Sequence, residues 1–243
     1  ERLRQLGDIL TANLHRVQKG QPKVAVEDFY DENMAVIEIP LSPLLSPQQN
    51  AAKFYKDYAR MKTAEKELTR QMELARQELN YLQSVLEELG RAASDAELEE
   101  IKQELREAGY LKADAKARMK QAKLPPLRFT STDGYSIYVG RNNRQNEELT
   151  FKSARKDDLW LHASKVHGSH VIIACGGVTP PDDTVTQAAQ LAAHYSEGMG
   201  GQNIGVDITP VKQVKKIPGG KTGMVIYHSY RTVVVNPYPD IVV

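Results

Sequence analysis

The sequence predicts an α+β protein in two parts: a long antiparallel coiled-coil arm with a small β tip, followed by a compact α+β domain. Three observations lead there. From Phe54 onward, Tyr58, Met61, Glu65, Leu68, Met72, Ala75, Leu79, Leu82, Leu86 and Leu89 keep alternating steps of four and three, with Glu65 alone breaking the apolar series. That is a heptad seam. Residues 1–123 hold 20 of the 32 Lys+Arg and 21 of the 31 Asp+Glu, so charge concentrates in the half that reads as helical. After Leu124-Pro125-Pro126 the pattern becomes short apolar runs divided by turn residues.

Taken in order, Leu3, Leu6, Leu10, Leu14 and Val17 mark a first amphipathic helix ending at Gly20. Val24-Ala25-Val26 and Val36-Ile37-Glu38-Ile39 read as strands joined through Tyr30-Asp31-Glu32-Asn33, which makes residues 20–46 the β tip. The long helix runs from about Pro47 to Gly90, roughly 60 Å at 1.5 Å per residue. A third helix starts after Ser94 and carries Leu98, Ile101, Leu105 and Ala108. The first helix is too short to cover the seam. An upstream segment is therefore expected to cover the rest, in keeping with a start at Glu1-Arg2-Leu3 that has no Met and reads as a fragment. Without that segment, the seam is expected to recruit the 94–118 helix or to self-associate with a second copy.

Residues 124–243 form the second domain. Strands are expected at 127–130, 135–139, 159–162, 170–174, 204–208, 224–227 and 232–235. One helix runs from Asp182-Asp183 through Ala188, Leu191, Ala192 and Tyr195 to Gly198, and a short one lies within 142–150.

Composition excludes several function classes. There is no apolar run long enough to span a membrane and no signal-peptide pattern. A single cysteine, Cys175, rules out an intramolecular disulfide framework and fits a cytoplasmic protein. A net charge of +1 offers no bulk attraction for nucleic acid, so any such function must rest on local patches.

The richest stretch is Asp158-Leu159-Trp160-Leu161-His162, followed by His167-Gly168-Ser169-His170. On a strand, Leu159 and Leu161 face one way and Asp158, Trp160 and His162 the other. Two readings fit the second face: a binding surface or small cleft, or a buried hydrogen-bonded acid and imidazole beside a core tryptophan. A zinc site from His162, His167, His170 and Asp158 lacks a recognised ligand spacing and a cysteine pair. Gly220-Lys221-Thr222 is not a phosphate-binding loop, because Lys215 stands where the upstream glycine is required and a strand follows instead of a helix. Gly219-Gly220 reads as a hairpin turn. Cys175 closes the apolar run from Val171 and is expected to be an inert buried thiol.

A nucleic-acid surface has more support. Arg141, Arg144, Lys152, Arg155, Lys156 and Lys165 flank the Asp-Trp-His strand, Lys212, Lys215, Lys216 and Lys221 precede the last hairpin, and Tyr135, Tyr138, Trp160, Tyr227 and Tyr230 interleave with them. Cations can neutralise phosphates while rings stack on bases. The alternative is a solvated rim around core tyrosines.

Residues 140–150 (GRNNRQNEELT), Asp158-Leu159-Trp160-Leu161-His162 and Gly168-Ser169-His170-Val171-Ile172 together resemble the RNA-binding carboxy-terminal domain of the NFACT family, and residues 50–58 (NAAKFYKDY) resemble its middle coiled-coil region. The resemblance covers essentially the whole chain but only the carboxy-terminal half of the family architecture. It implies ribosome-associated quality control: binding to a large ribosomal subunit that carries an obstructed nascent chain, and recruitment of charged tRNA for carboxy-terminal alanine tailing, with peptide-bond formation left to the ribosome. The family's Asp-x-Trp-x-His signature falls on Asp158, Trp160 and His162; with Arg141, Asn142, Arg144, His170 and Lys165 they are the candidate RNA-binding residues, and Phe29 and Tyr30 are the candidates for a ribosome-contacting tip. No catalysis, cofactor or metal is expected of the chain itself. Two rivals remain: a surface adhesin binding fibronectin, a property attached to some family members, and an RNA-processing enzyme using Asp158 with His162 or His170 as acid and base.

Overall fold

A computed structural model describes residues 1–112 and 124–237. It combines helices with antiparallel sheets, so the fold class is α+β. Contacts divide the chain into two compact units, Glu1–Ala75 and Arg76–Val243.

In the first unit, α1 (Arg2–Ala12) runs antiparallel to the start of α2 (Pro47–Arg91). Hydrogen bonds set the direction: the Tyr55 hydroxyl donates to Asp8 (2.7 Å) and lies 3.3 Å from that of Thr11, whereas Tyr58 reaches Glu1 at 3.3 Å. Gly7 permits the approach, since a Cβ there would sit 3.0 Å from the Tyr55 ring. Strands β1 (Lys23–Glu27) and β2 (Val36–Pro40) pair antiparallel, with Val24 opposite Ile39. Alternation turns Val24, Val26 and Ile39 inward onto Ile9 and Leu10 of α1 and Ala51 of α2. Ser46 and Gln49 exchange backbone-to-side-chain bonds (2.8 and 3.2 Å) that cap α2, and Pro47 opens its first turn. Phe29 and Tyr30 lie in the connection between the strands, 44% and 43% exposed, with ring centroids 4.8 Å apart.

Beyond Tyr58 the heptad seam has no partner among the described residues: Met61, Leu68, Met72, Leu79, Leu82, Leu86 and Leu89 are all at least 39% exposed. In the second unit α2 is packed on a different face. Tyr81 and Val85 are buried against Ile101 of α3 (Asp95–Glu107), with Leu105, Tyr110 and Met224 around them. At about 3.6 residues per turn this face lies roughly a third of a turn from the seam. The expectation that the 94–118 helix completes the seam is therefore corrected for its described part, because α3 follows Tyr81, whose hydroxyl donates to the buried Glu104 (2.9 Å). The stretch of that helix beyond residue 112 lies outside the described residues.

The core of the second unit is a six-stranded antiparallel sheet in the order β10-β7-β5-β6-β4-β3. Its strands are β3 (Leu127–Thr130), β4 (Ser136–Val139), β5 (Leu159–Ala163), β6 (Val171–Ile173), β7 (Ile204–Pro210) and β10 (Arg231–Val235). One face packs on α5 (Asp182–His194), where Ala188, Ala189 and Ala192 let the helix approach Leu161, Ile173 and Ile208. The opposite face packs Trp160 and Ile172 under Leu149, Val211 and Val214. That cover comes from the turn after α4 (Asn143–Glu148) and from a hairpin of β8 (Val214–Lys216) and β9 (Val225–Tyr227). Strand β8 was not expected, since a three-residue run with two lysines carries little apolar signal. Helix α5 ends at His194 rather than Gly198 because Ser196 pairs with Gly168 as an isolated bridge and the Glu197 N–H donates to the His167 carbonyl (2.9 Å). No helix among the described residues is long and apolar enough to cross a membrane.

The two faces of α2 make opposite predictions. Ile101→Ala removes a buried side chain and should cost about 2–5 kcal/mol in urea denaturation. Leu86→Ala, on the 68% exposed seam position, should stay within roughly 0.5 kcal/mol where the chain is monomeric. The reverse order would mean that the seam is the packed face.

Candidate nucleic-acid interface

Strand β5 carries Trp160 and His162 of the Asp-Trp-His series, and alternation sends both away from α5. Asp158 precedes the strand and is 4% exposed; one oxygen accepts the Arg155 N–H (2.8 Å) and the other the Gly176 N–H (2.7 Å). It thus clasps two loops together. Trp160 is 0% exposed, stacked on His162 (centroids 5.6 Å, planes 9° apart), tilted against Tyr227 (4.8 Å) and edge-on to His170 (5.1 Å). A base cannot stack on a ring so enclosed, so the RNA-stacking reading of Trp160 is corrected in favour of a core residue. Its Nε1–H has no hydrogen-bond partner among the described residues.

His170 is also buried: its Nδ1 lies 2.8 Å from the Thr150 hydroxyl and its backbone N–H donates to Asn146 (2.9 Å). Burial, then proximity to His162, pushes its pKa well below the usual histidine range. His162 is half-buried in a cavity wall, and burial brings its pKa down to about 4. Both rings are neutral at neutral pH.

The remaining candidates divide. Arg141 pairs with Glu97 and donates to the Pro125 carbonyl (3.0 Å); Asn142 caps α4 and donates to Glu100 (2.8 Å); Arg144 pairs with Glu107 (3.3 Å) and Glu148 (3.8 Å). These three hold α4 against α3, the two arginines with their charges already answered. Lys165 is exposed in a left-handed conformation (φ 61°). Among the described residues it has no ion-pair partner, and neither do Arg155, Lys156 and Lys215, whereas Lys152, Lys212 and Lys216 are paired with Glu148, Asp157 and Glu147. Lys221 lies over the rings of Tyr110 and Tyr81 at 5.2 and 5.8 Å. Among the described residues no group of His, Cys, Asp or Glu is arranged to hold a metal ion.

Two cavities flank the strand. One of about 500 Å³ opens at the Asp158 end, lined by Tyr138, Leu149, Ser153 and Arg155. Another of about 350 Å³ opens at the His162 end, between Asn80 and Ser84 of α2, Asn143 and Asn146 of α4, the 165–168 loop and the β8–β9 hairpin. Asn80 was missed by sequence reasoning, because one asparagine on a long charged helix gives no periodic signal. His167 entered it only as a zinc ligand.

Also unforeseen is a pair of buried acids behind α4. Glu88 and Glu104 are each 3% exposed. Burial, and then the nearby Glu104, raises Glu88 well above the carboxylate range, and its Oε2 has no partner among the described residues. Burial raises Glu104 too, against the Tyr81 hydroxyl and the Arg144 N–H that lower it.

These two kinds of group oppose each other in pH. Glu88 holds its proton more tightly folded than unfolded, so its contribution is complete below the carboxylate range and is lost as pH rises through its folded value. The imidazoles contribute fully above their ordinary 6.5 and lose stability as pH falls toward the about 4 of His162. Glu88→Gln should remove a fall in stability of about 1.4 kcal/mol per pH unit that begins just above the ordinary carboxylate range, and leave the loss that the imidazoles give as pH falls. Trp160→Ala should cost roughly 3–5 kcal/mol of folding stability by denaturant melts. A loss of RNA affinity at unchanged stability would return the ring to the surface.

The family model for the NFACT N-terminal and middle domains matches residues 1–124, and the model for the NFACT protein RNA binding domain matches residues 126–229. A curated protein of Streptococcus suis (strain 05ZYH33), the Rqc2 homolog RqcH, is 41% identical over 241 residues, covering 99% of this chain and 43% of that protein. The Rqc2 homolog RqcH of Bacillus subtilis (strain 168) is 38% identical over 240 residues, covering 98% and 42%. The chain therefore spans about two-fifths of the length of these relatives. A solved structure, the C-terminal of the fibronectin/fibrinogen-binding protein from Streptococcus suis, aligns with a TM-score of 0.74 at 42% identity, covering 79% of this chain and 77% of that one. With the two models matching in succession along nearly its whole length, the chain belongs to the NFACT family.

Proposed function

We propose that this chain is the RNA- and ribosome-binding portion of a ribosome quality-control factor, acting as a binding module without catalysis of its own. The carrying observation is the match of residues 126–229 to an RNA-binding domain in which Arg155, Lys156, Lys165 and Lys215 stand exposed and unpaired among the described residues. Free cations on a folded surface are what phosphate contact requires. In this reading residues 124–243 bind RNA, tRNA included, and residues 1–123 reach the large ribosomal subunit through Phe29 and Tyr30 at the tip. Those two rings are exposed and adjacent, as an aromatic anchor would be. Carboxy-terminal alanine tailing belongs to the whole protein, with the ribosome making the bond.

The test is a salt titration of RNA binding. Lys156→Ala and Lys215→Ala should each lower the slope of log affinity against log salt by roughly 0.7–0.9 for each phosphate that the lysine neutralises. Arg141→Ala should act on stability instead. Phe29→Ala with Tyr30→Ala should weaken large-subunit binding and spare tRNA binding. Equal loss in both assays would sink the tip assignment, and unchanged slopes in both lysine variants would sink the RNA surface. A second reading, fibronectin binding, draws on the name of the structural neighbour; saturable binding to immobilised fibronectin with flat RNA titrations would favour it.

A further inference from the structure

The cavity at the His162 end has a chemistry that phosphate binding does not explain. Its volume of about 350 Å³ falls at the lower end of the ~300–1,000 Å³ of small-ligand sites. It has room for one nucleoside and none for a duplex. Among the described residues no carboxylate lines it, and Lys165 is its one cation. Its other polar groups are carboxamides, imidazoles and hydroxyls. The apolar part comes from Val166, Ile217, Met224 and Val225.

Several of these polar groups are committed. Asn143 donates to the Ser84 hydroxyl (2.8 Å), Asn146 serves the His170 N–H (2.9 Å), and the Tyr227 hydroxyl donates to Asp207 (2.7 Å). They set the shape of the cavity. The side chains of Asn80, His167 and Lys165 have no hydrogen-bond partner among the described residues and are the groups left for a ligand. His162 presents an imidazole stacked from behind by Trp160, which fixes the plane of its ring. An anion would call for more cations, and a cation for carboxylates. A neutral heterocycle with donors and acceptors on its edge matches neutral amide and imidazole groups, with apolar walls for its faces.

We propose that this cavity takes one unpaired nucleobase of the bound RNA, read at its edge by Asn80, His162 and His167, with Lys165 at the adjoining phosphate. The proposal rests on the RNA-binding reading above and adds base selection to it. It also makes the site composite. Asn80 lies on α2, outside the 126–229 match, so the RNA-binding domain alone lacks one wall.

The experiment uses the whole chain and fluorescent single-stranded RNA dodecamers, one homopolymer for each base, with an abasic dodecamer as the control. The wild type should prefer one base over the abasic strand by roughly tenfold. Asn80→Ala and His167→Ala should erase that preference while leaving abasic binding and its salt slope unchanged. Asn80 is exposed and unbonded, so its removal spares the fold; Asn80→Asp, equal in shape but an acceptor alone, should shift which base is preferred. Base preference kept in both alanine variants overturns the proposal while RNA binding stands. Failure of the wild type to bind any strand, abasic included, overturns the RNA reading itself.

Discussion

Everything in the second unit depends on β5 being buried on both faces. Leu159 and Leu161 belong to the core under α5, while Trp160, one residue over, belongs to the core under the β8–β9 hairpin. A strand alternates by geometry, so once the leucines face α5 the tryptophan must be covered by something else. The hairpin and the turn after α4 supply that cover. Where they end, at either end of the Asp-Trp-His series, the two cavities open. The motif is thus the frame of a site more than its contact surface: Asp158 ties two loops at the edge of one cavity, Trp160 fills the second core, and His162 reaches the other cavity.

A second constraint is polar. Asn142, Asn143, Gln145 and Asn146 are all buried, and each hydrogen-bonds to a neighbouring element: Glu100 of α3, Ser84 of α2, Glu100 again, and the His170 backbone. A buried network satisfied at every member gives one geometry instead of several. Gly140 belongs to it, because a Cβ there would come within 2.2 Å of the Asn146 carboxamide oxygen. Beside that network Glu88 is buried with one oxygen unmet among the described residues. Its raised pKa follows, since a neutral acid costs less to bury than a carboxylate.

Charge divides between structure and surface. Arg141 and Arg144 serve α3, and Lys212 and Lys216 pair with carboxylates, whereas Arg155, Lys156, Lys165 and Lys215 remain open among the described residues. A net charge near neutrality coexists with open basic side chains because some of the acids, Glu97 and Glu107 among them, are paired with arginines. In the proposed reading the cavity lined by Lys165 separates two tasks that RNA recognition needs, attraction of the backbone and reading of a base.

The elements themselves were legible in the sequence. Heptad spacing marked α2, Ser94 marked the start of α3, alternation marked most strands, and the motifs marked the family, because each of these signals is local. It was also local that Leu159 and Leu161 would part from Trp160. What covers the tryptophan was not local: the ring is a core residue because β8 and β9, more than fifty residues away, fold over it. The packed face of α2 was likewise hidden, since Leu79, Leu82 and Leu86 are more apolar than the Tyr81, Val85 and Glu88 face that α3 covers. Arg141 and Arg144 read as phosphate ligands until α3 brought Glu97 and Glu107 beside them. Pattern along a chain records which residues share a face; which face meets which partner is set by long-range packing, and tertiary structure alone decides it.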